Sequence, residues 1–394
     1  MSNEEMITCQ VAGCGETAHV MEQHLAAKHP GYTLEQYQAD FPGMPIISER
    51  ARKILADRAA AARPTTTATA PSGTTVTVEK KAVQRKPFHD VFGFSKTDRA
   101  ALSAKGSPIG IRVFDPDELT PEARATIPDK DSDYVFNVDL TKTVVMALEM
   151  NVPIYLHGHA GVGKSTLLEQ VAHHTNRGYT RVQHTANMEE ADVEGRWVVD
   201  AKGEMIFQNG PLTDAMEQGL LYVADEYDFA PPMVLSVYQA VLEGKPLFIK
   251  AANKKVVPHQ NFRFCATGNT NGAGDESGLY QGTMVQNAAN YERFGVVEKV
   301  QYMPQKDEIE MLVRKTSIAH EDAKRIVEFA TKMREGFDKN DVDIPMSPRA
   351  TLNAAKLGMA RNDMAFGIRC AYINRLPARS ADVARQTSQR VFGS

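Results

Sequence analysis

The sequence predicts an α/β fold with a parallel sheet, followed by a helical lid and preceded by a small metal-binding head. Three observations support this prediction. Residues 158–165 match the phosphate-binding pattern G-x-x-x-x-G-K-[ST]. Short apolar runs alternate with helical patterns around that segment, as in sheets that are covered by helices on both faces. After about residue 304 only helical patterns remain, and near the start two cysteines precede two histidines.

The elements follow one another in a simple order. Before the phosphate-binding segment we expect an apolar strand at Tyr134–Phe136, a helix at Leu140–Met150 and a strand at Val152–His157. After it we expect a helix at 166–172, strands at 180–184, 219–224 and 262–267, and a helix at 232–243 that Gly244 ends. Helices are then predicted at 306–316, 321–336, 348–359 and 366–374, which together indicate an all-helical lid.

Composition divides the chain into four parts. A stretch rich in Ala, Thr, Pro, Ser and Gly predicts a flexible linker at residues 59–80. The predicted parts are a head at 1–58, this linker, a nucleotide-binding α/β domain at 81–303 and the helical lid at 304–394. The chain is long enough for two or three domains.

Charge and hydropathy exclude several classes of protein. The 394 residues carry a formal net charge of −4, so neither nucleic acid nor an anionic membrane is an expected partner of the whole chain. No apolar run approaches the roughly 18 residues of a membrane span, and the acidic start Met1–Glu5 does not resemble a signal peptide. We therefore expect a cytoplasmic protein. Of the four cysteines, Cys265 and Cys370 are expected to be core residues.

The phosphate-binding loop predicts a site for ATP and Mg²⁺. Its glycines let backbone N–H groups point at an anion, and the helix that follows adds a partial positive charge. Lys164 is expected to reach the β- and γ-phosphates, and the Ser165 hydroxyl to hold Mg²⁺. His157 and His159 are expected to be ordinary loop side chains. The nucleotide-binding residues are predicted to be Gly158, Gly161, Gly163, Lys164, Ser165, Thr166 and Asp225.

Polar residues at the ends of two later strands extend this site. Asp225 and Glu226 follow the apolar run 220–224. Beside a phosphate-binding loop, the first would support Mg²⁺ and the second would orient and deprotonate the attacking water. Asn269 follows the next strand and would contact the γ-phosphate and that water. The alternatives are an acidic strand end in solvent and a turn residue.

Two arginines are candidates to complete the site. Arg293 is placed like an arginine finger that reaches the ATP of a neighbouring subunit, which supplies on the order of 10³–10⁵ in rate in such enzymes. Arg349 begins a lid helix and would contact the γ-phosphate of its own subunit. The alternative for both is a surface arginine.

Taken in this order, the loop, Asp225-Glu226, Asn269, Arg293 and Arg349 resemble the AAA+ ATPases of the MoxR branch, and within it the small ATPase subunit of cobaltochelatase (CobS type). The most specific segment is Gly278–Thr283, and the resemblance covers residues 85–394. It implies an AAA+ P-loop NTPase fold and a homo-oligomeric ring, usually of six subunits, with ATP at the interfaces. It also implies a partner with a von Willebrand A domain (CobT-like) and, in the cobalt system, ATP-driven insertion of Co²⁺ into a tetrapyrrole.

The segment Asn187–Pro211 resembles the hairpin that this branch places near the pore of the ring. It contains Trp197, the only tryptophan of the chain. Two roles are open for this side chain, contact with a partner or packing in the interior.

The head has the ligand pattern of a zinc site. Cys9, Cys14, His24 and His29 are spaced C-x4-C-x9-H-x4-H, which predicts a hairpin followed by a helix around tetrahedral Zn²⁺, with Gly13 in the turn. The pattern, together with Gly31–Tyr37, resembles bacterial fingers of the Ros/MucR type. The alternative is two small buried cysteines and two surface histidines.

The charge of the head favours a protein partner. Residues 1–63 hold six Lys or Arg and eight Asp or Glu, a net of −2, and phosphate contacts normally dominate nucleic-acid binding. The expected function is an ATP-hydrolysing ring motor that remodels a partner complex, with metal insertion as one form of it. The alternatives are a chaperone that acts with a von Willebrand A-domain protein without metal insertion, and a nucleic-acid-binding regulator built on the finger.

Overall fold

The computed structural model describes residues 6–48, 85–275 and 278–393. The predicted linker at 59–80 lies outside the described residues, as does the part of the predicted head after residue 48. The chain divides into two compact units, Met1–Lys80 and Lys81–Ser394. Within the described ranges, no helix is long and apolar enough to span a membrane.

The first unit is a short hairpin followed by two helices. Strands β1 (Ile7–Thr8) and β2 (Thr17–Ala18) pair antiparallel, and helices α1 (Met21–Lys28) and α2 (Leu34–Asp40) follow. Thr33 and Gln36 exchange hydrogen bonds in a capping box that begins α2. The buried apolar core is small and consists of Cys9, Met21, Leu25 and Tyr37.

The second unit begins with the α/β body. In chain order its first elements are β3 (Arg85–Pro87), α3 (Phe88–Phe92), β4 (Gly110–Arg112), α4 (Pro121–Ala125), α5 (Val138–Met150), β5 (Ile154–His157), α6 (Lys164–His174) and β6 (Tyr179–Gln183). The next are α7 (Glu190–Glu194), β7 (Gly195–Val199), β8 (Met205–Asn209), α8 (Pro211–Gln218), β9 (Leu221–Asp225) and α9 (Tyr238–Leu242). The last are β10 (Leu247–Ile249), β11 (Lys254–Val256), β12 (Arg263–Gly268), α10 (Ala288–Tyr291) and β13 (Val296–Lys299).

Five of these strands form one parallel sheet in the order β13-β5-β12-β9-β6. Alternate residues of a strand face opposite sides, so Ile154 and Leu156 pack towards α5 and α6, whereas Tyr155 packs into the core that contains α8 and α9. All five residues of β9 are buried, as expected for a central strand covered on both faces. The parallel order brings the carboxyl ends of β5, β12 and β9 to one edge.

The helical lid contains α11 (Gln305–Thr316), α12 (His320–Asp338), α13 (Pro348–Arg361), α14 (Met364–Ala371) and α15 (Ala378–Phe392). Its core includes a buried ion pair. Glu308 of α11 is 0% exposed and accepts from Arg334 of α12 at 2.7 and 2.8 Å. The Thr351 hydroxyl of α13 donates to the same carboxylate at 3.0 Å. Three lid helices therefore meet at one satisfied polar cluster.

Most predicted elements are confirmed, three expectations are wrong, and two elements were missed. Tyr134–Phe136 is not a strand, because its aromatic rings pack on each other and on His174 instead of joining a sheet. The predicted helix at 232–243 is a 3-10 turn, Val234–Val237, followed by the short α9. Strand β13 and helix α15 were not predicted. Cys265 is buried as expected, but Cys370 is exposed.

Candidate functional site

The phosphate-binding loop connects β5 to α6, as predicted. Gly158 has a φ of 145°, and a Cβ atom there would lie 2.4 Å from the carbonyl oxygen of Val300. A Cβ at Gly161 would lie 3.1 Å from the Ser347 Cβ, just before the lid helix α13. The close carbonyl oxygen excludes a side chain at Gly158, and the positive φ of Gly161 together with its tight contact disfavours one there. Gly163 also has a positive φ, and Thr166 lies half-buried in the first turn of α6.

Lys164 is buried at the start of α6. Its Nζ donates to the carbonyl oxygens of Gly158 (2.6 Å) and His159 (3.1 Å) and to Asn269 Oδ1 (3.2 Å). Burial lowers the pKa of the ammonium group to about 8, although nearby carboxylates, above all that of Asp228, oppose this shift. The loop therefore places a cation between its own carbonyl groups and the end of β12.

Asp225 ends β9 and is held by three side chains. Its Oδ1 accepts from the Ser165 hydroxyl at 2.6 Å and from the Thr267 hydroxyl, and its Oδ2 accepts from Arg181 Nε at 2.7 Å. Burial alone would raise the pKa of this carboxyl, but these hydrogen bonds and the Arg181 charge outweigh it, so the pKa is lowered. A carboxylate and a hydroxyl side by side form the oxygen donor set that Mg²⁺ prefers, so the predicted Mg²⁺ residues fit the ion.

Glu226 follows immediately and has a left-handed backbone conformation, with a φ of 55°. Such conformations are uncommon for residues other than glycine, asparagine and aspartate, and they cluster at functional sites. Its Oε2 accepts from Gln183 Nε2 at 2.7 Å. The strand register places Gln183 opposite Asp225, which explains why these side chains meet.

Asn269 follows β12, and Asp228 fixes its backbone. Asp228 is 0% exposed, and its Oδ2 accepts from the backbone N–H groups of Asn269 and Thr270, both at 2.8 Å. The Thr270 hydroxyl donates to the same atom at 2.9 Å. The Asn269 side chain contacts Lys164, so the residue that was predicted to contact the γ-phosphate lies at the phosphate-binding loop.

The two predicted arginines lie in different surroundings. The Cβ atom of Arg349 lies 3.6 Å from the Cβ position of Gly161, so the first turn of the lid helix α13 lies against the phosphate-binding loop. Arg293 instead donates to Glu243 Oε1 at 2.7 Å and to the Ala289 carbonyl oxygen. The structure therefore brings Arg349 to the loop of its own chain, and it pairs Arg293 with a carboxylate elsewhere.

A cavity of about 250 Å³ lies beside the loop, and the sequence did not reveal it. Its walls come from the segment 134–143, from Val162, Gly163 and Leu167, and from the segment 298–304 that leads into the lid. The aromatic rings of Tyr134, Phe136 and Tyr302 line it together with polar side chains such as Asn137 and Asp139. A cavity with aromatic walls and a few polar groups next to a phosphate site has the character of a nucleobase pocket.

The four predicted zinc ligands come together in the head. All four ligand atoms lie within 4.8 Å of one another, with Cys9 Sγ 3.7 Å from His29 Nε2 and Cys14 Sγ 3.3 Å from His24 Nε2. Zinc–ligand bonds of about 2.0–2.3 Å in a tetrahedron correspond to separations of roughly 3.3–3.8 Å, and both Cys–His distances lie in this range, so the donor set fits Zn²⁺. Glu16 lies 3.9 Å from His24 Nδ1, where an outer carboxylate can orient a ligating imidazole.

The predicted hairpin insertion is formed by β7 and β8, which pair antiparallel. Trp197 is 48% exposed, so of the two roles left open for this side chain, packing in the interior does not hold. Its indole N–H donates to the Ala251 carbonyl oxygen at 3.0 Å, and its ring meets Phe207 edge-on. The neighbouring exposed apolar residues Val199, Met205 and Ile206 give this hairpin an apolar surface.

Sequence reasoning missed the roles of four residues at the site. Arg181 and Gln183 lie on alternate positions of β6, and their polar character on a predicted strand was the available signal. Asp228 lies two positions after Glu226 in the segment 225–228, where only the first two carboxylates were singled out. His159 was expected to be an ordinary loop residue, yet its ring contacts three other segments.

Comparisons with known proteins agree with this geometry. A family model described as "AAA domain (dynein-related subfamily)" matches residues 153–285, and one described as "CbbQ/NirQ/NorQ C-terminal" matches residues 308–386. The chain is 31% identical over 278 residues to the aerobic cobaltochelatase subunit CobS of Sinorhizobium sp, covering 68% of this chain and 84% of the relative. It is 30% identical over 176 residues to midasin of Dictyostelium discoideum, covering 44% of this chain but 3% of midasin. It is 24% identical over 208 residues to protein CbbQ of Hydrogenophilus thermoluteolus, covering 52% and 74% of the two chains.

Proposed function

Because the chain belongs to the AAA+ ATPases of the MoxR branch, we propose that it is the motor of a ring that remodels a partner complex. As an AAA+ ATPase it binds nucleotide with Mg²⁺ and hydrolyses ATP. One observation supports the assignment of residues most directly. The ends of β5, β9 and β12 bring Lys164, Asp225, Glu226 and Asn269 to one edge of the sheet.

The proposed roles follow from the contacts of each side chain. Lys164 and the backbone N–H groups of the loop bind the phosphates, and Ser165 and Asp225 would hold Mg²⁺, which neutralises phosphate charge. Glu226 accepts the proton of the attacking water, and Gln183 orients its carboxylate. Asn269 positions that water. The cavity beside Val162 would hold the base of the nucleotide.

The first test is Glu226→Gln, which preserves the size of the side chain but removes the base. We expect kcat to fall by at least about 100-fold, while the dissociation constant for ATP changes less than about threefold. Steady-state ATPase rates and calorimetric binding measure the two quantities. Glu335→Gln, on the exposed side of α12, is the matched control. Near-normal turnover by Glu226→Gln would refute the assigned role.

The ring architecture is also a proposal. Arg349 would contact the γ-phosphate within its own subunit, since it already lies against the loop. Arg293 would act across an interface, like the arginine fingers that stabilise charge on a transferred phosphoryl group. A hexamer is the expected assembly, and a protein with a von Willebrand A domain is the expected partner.

Metal insertion is the second candidate function, and one observation favours it. The chain is 31% identical to the cobaltochelatase subunit CobS, and the match spans 84% of that relative. A metal-insertion motor requires its partner subunits, a tetrapyrrole and Co²⁺ or Mg²⁺ before a metal product forms. A remodelling chaperone shows ATPase stimulation by the von Willebrand A-domain protein alone, so comparing the two mixtures separates the functions.

The head is proposed to bind Zn²⁺ and to recruit a protein. Its described side chains include more acidic than basic groups, which disfavours contact with phosphates. A nucleic-acid-binding role would instead give salt-dependent retardation of DNA or RNA by the full chain. Absence of binding at low salt would exclude that role.

A further inference from the structure

Three aromatic side chains surround His159, the second residue of the phosphate-binding loop. We call His159, Tyr280, Tyr302 and Phe337 the His159 cluster. The His159 ring stacks on Tyr302, with centroids 5.6 Å apart and planes 9° apart, and meets Phe337 edge-on at 5.5 Å. Its Nδ1 lies 3.0 Å from the Tyr280 hydroxyl. One loop side chain thus contacts the segment 278–283, the segment after β13 and the lid helix α12.

The Tyr280 hydroxyl also bonds to the backbone of the loop. The N–H group of Ala160 donates to it at 3.1 Å, so the hydroxyl proton is free to point at His159 Nδ1. Burial lowers the pKa of His159 and raises the pKa of Tyr280, so a neutral imidazole accepts from a protonated hydroxyl. The hydroxyl is therefore acceptor and donor at once, and a phenylalanine at this position could be neither.

Tyr280 is itself held in place. Its backbone N–H donates to Asp275 Oδ2 at 2.6 Å, and its carbonyl oxygen accepts from the N–H and hydroxyl groups of Thr283. The side chain consequently extends from a fixed turn. Movement of the Ala160 peptide is transmitted to that turn through a single hydroxyl group.

The other side of the cluster leads into the lid. The Arg334 guanidinium lies 4.2 Å from the centre of the Tyr302 ring and is paired with the buried Glu308. Glu308 in turn accepts from Thr351, two residues after Arg349 on α13. A continuous series of packed and hydrogen-bonded groups therefore runs from the Ala160 amide to the helix that carries Arg349.

We propose that Tyr280 is a positioning residue for ATP hydrolysis, whose hydroxyl fixes the Ala160 amide and the His159 ring so that the loop, the segment 278–283 and the lid respond together to the nucleotide. The amides of such a loop are donors for phosphate oxygens, and Ala160 lies within this loop. A nucleotide that shifts the loop backbone must therefore alter the hydrogen bond between the Ala160 amide and Tyr280. The His159 ring then passes the change to Tyr302 and Phe337.

Tyr280→Phe in the full-length chain tests the proposal, which rests on ATP hydrolysis at this loop. We expect kcat to fall about tenfold while the KM for ATP changes less than about twofold, because positioning acts on the rate more than on substrate binding. Tyr179→Phe is the matched control. The Tyr179 hydroxyl is buried and has no hydrogen-bond partner among the described residues, and it lies at the opposite end of β6 from Gln183. A kcat of Tyr280→Phe within twofold of the unmodified protein would overturn the proposal.

A double-mutant cycle separates this role from a general loss of stability. Tyr280→Phe and Phe337→Leu are combined, and the ratio of the dissociation constants for ADP and ATP is measured by calorimetry. Coupling through His159 predicts that the combined effect departs from the product of the single effects by at least about threefold. The cycle of Tyr179→Phe with Phe337→Leu should be multiplicative.

Failure of this proposal can be distinguished from failure of the proposed ATPase function. Multiplicative effects of Tyr280→Phe and Phe337→Leu would overturn the coupling, even if both variants were slow. Absence of ATPase activity in the unmodified protein would instead contradict the assignment of the whole site. Neither conclusion depends on coupling between any other pair of residues.

Discussion

Lys164 is surrounded by oxygen atoms of its own loop and by the Asn269 amide, so little water is left to stabilise its ammonium group. Burial therefore favours the neutral amine and lowers the pKa to about 8. Bound phosphates supply the negative charge that such a cation lacks, and they should raise the pKa again. ATP binding is thus expected to take up a proton when the solution is more alkaline than pH 8.

The pH dependence of ATP affinity follows from this expected rise in the pKa of Lys164 on ATP binding. Below about pH 8 the free protein already carries the ammonium group, so the dissociation constant should be nearly constant. As the pH rises through 8, the free protein loses the proton while the complex keeps it, so affinity should fall, approaching tenfold per pH unit. Calorimetry between pH 7 and 9.5 measures this. Lys164→Arg, whose charge does not titrate, should give a flat profile, and a flat profile in the unmodified protein would contradict the prediction.

At the same scale, sequence order accounts for only part of the site. Asp225 and Asn269 could be predicted because each directly follows its own apolar strand. Arg181 and Gln183 could not, because their roles depend on β6 lying beside β9, which is a property of strand order in the sheet. The Arg181 charge on Asp225 is a contact between residues 44 positions apart. The spacing of residues along a single strand cannot indicate a contact between two strands.

Among the elements, buried strands were easier to recognise than amphipathic helices of small residues. Strands such as β9 are continuous apolar runs, which the sequence displays directly. Helix α15 was missed because it buries mainly Ser380, Ala381, Ala384 and Ser388, which are too small or too polar to show an apolar face. Strand β13 was missed because it is a half-buried edge strand of four residues. In both cases packing against neighbouring elements stabilises a helix or strand that the local sequence does not indicate.

The head depends on its ligands more than on its core. Four buried apolar residues are few for an independent fold, so metal binding, worth roughly 10–16 kcal/mol for structural zinc, should supply the stability. We expect one Zn²⁺ per chain by elemental analysis of purified protein. Cys14→Ser should lose the metal and expose residues 6–48 to proteases, and chelators should do the same to the unmodified chain.

Cys370→Ser controls for removal of a thiol, since Cys370 is exposed in the lid. It should retain the metal and the protease resistance of the head. Retention of a full equivalent of zinc by Cys14→Ser would contradict the assigned ligand set. ATPase activity provides a second control, because the head and the body form separate compact units.

At the scale of the whole molecule, the proposed ring can be tested through Arg293. Its guanidinium is paired with Glu243 rather than with the phosphate-binding loop of its own chain. Action on a second chain would require this pair to exchange for contact with a neighbouring phosphate. Glu243 would then hold the finger while no such phosphate is within reach.

Mixing two inactive variants tests this geometry. Arg293→Ala lacks the finger, and Lys164→Ala lacks the phosphate contact, so each should be inactive alone. In equimolar mixed rings, roughly a quarter of the interfaces would combine an intact Lys164 with an intact Arg293, and ATPase activity should partly return. Arg385→Ala, an exposed arginine on α15, replaces Arg293→Ala in the control mixture. Mixed rings without any recovered activity would contradict action across the interface.

The contact between Gly158 and Val300 has a mechanical consequence. Val300 is anchored by its N–H group to the His157 carbonyl oxygen at 2.7 Å, and its own carbonyl oxygen fills the space beside Gly158. The lid begins only five residues later, at Gln305. A rotation of the lid about the contact between Gly158 and Val300 would displace the atoms next to the phosphates only slightly. It would displace the lid helices farthest from this contact much more. In such a rotation, a small change at the nucleotide would produce a large displacement of the lid helices farthest from Val300.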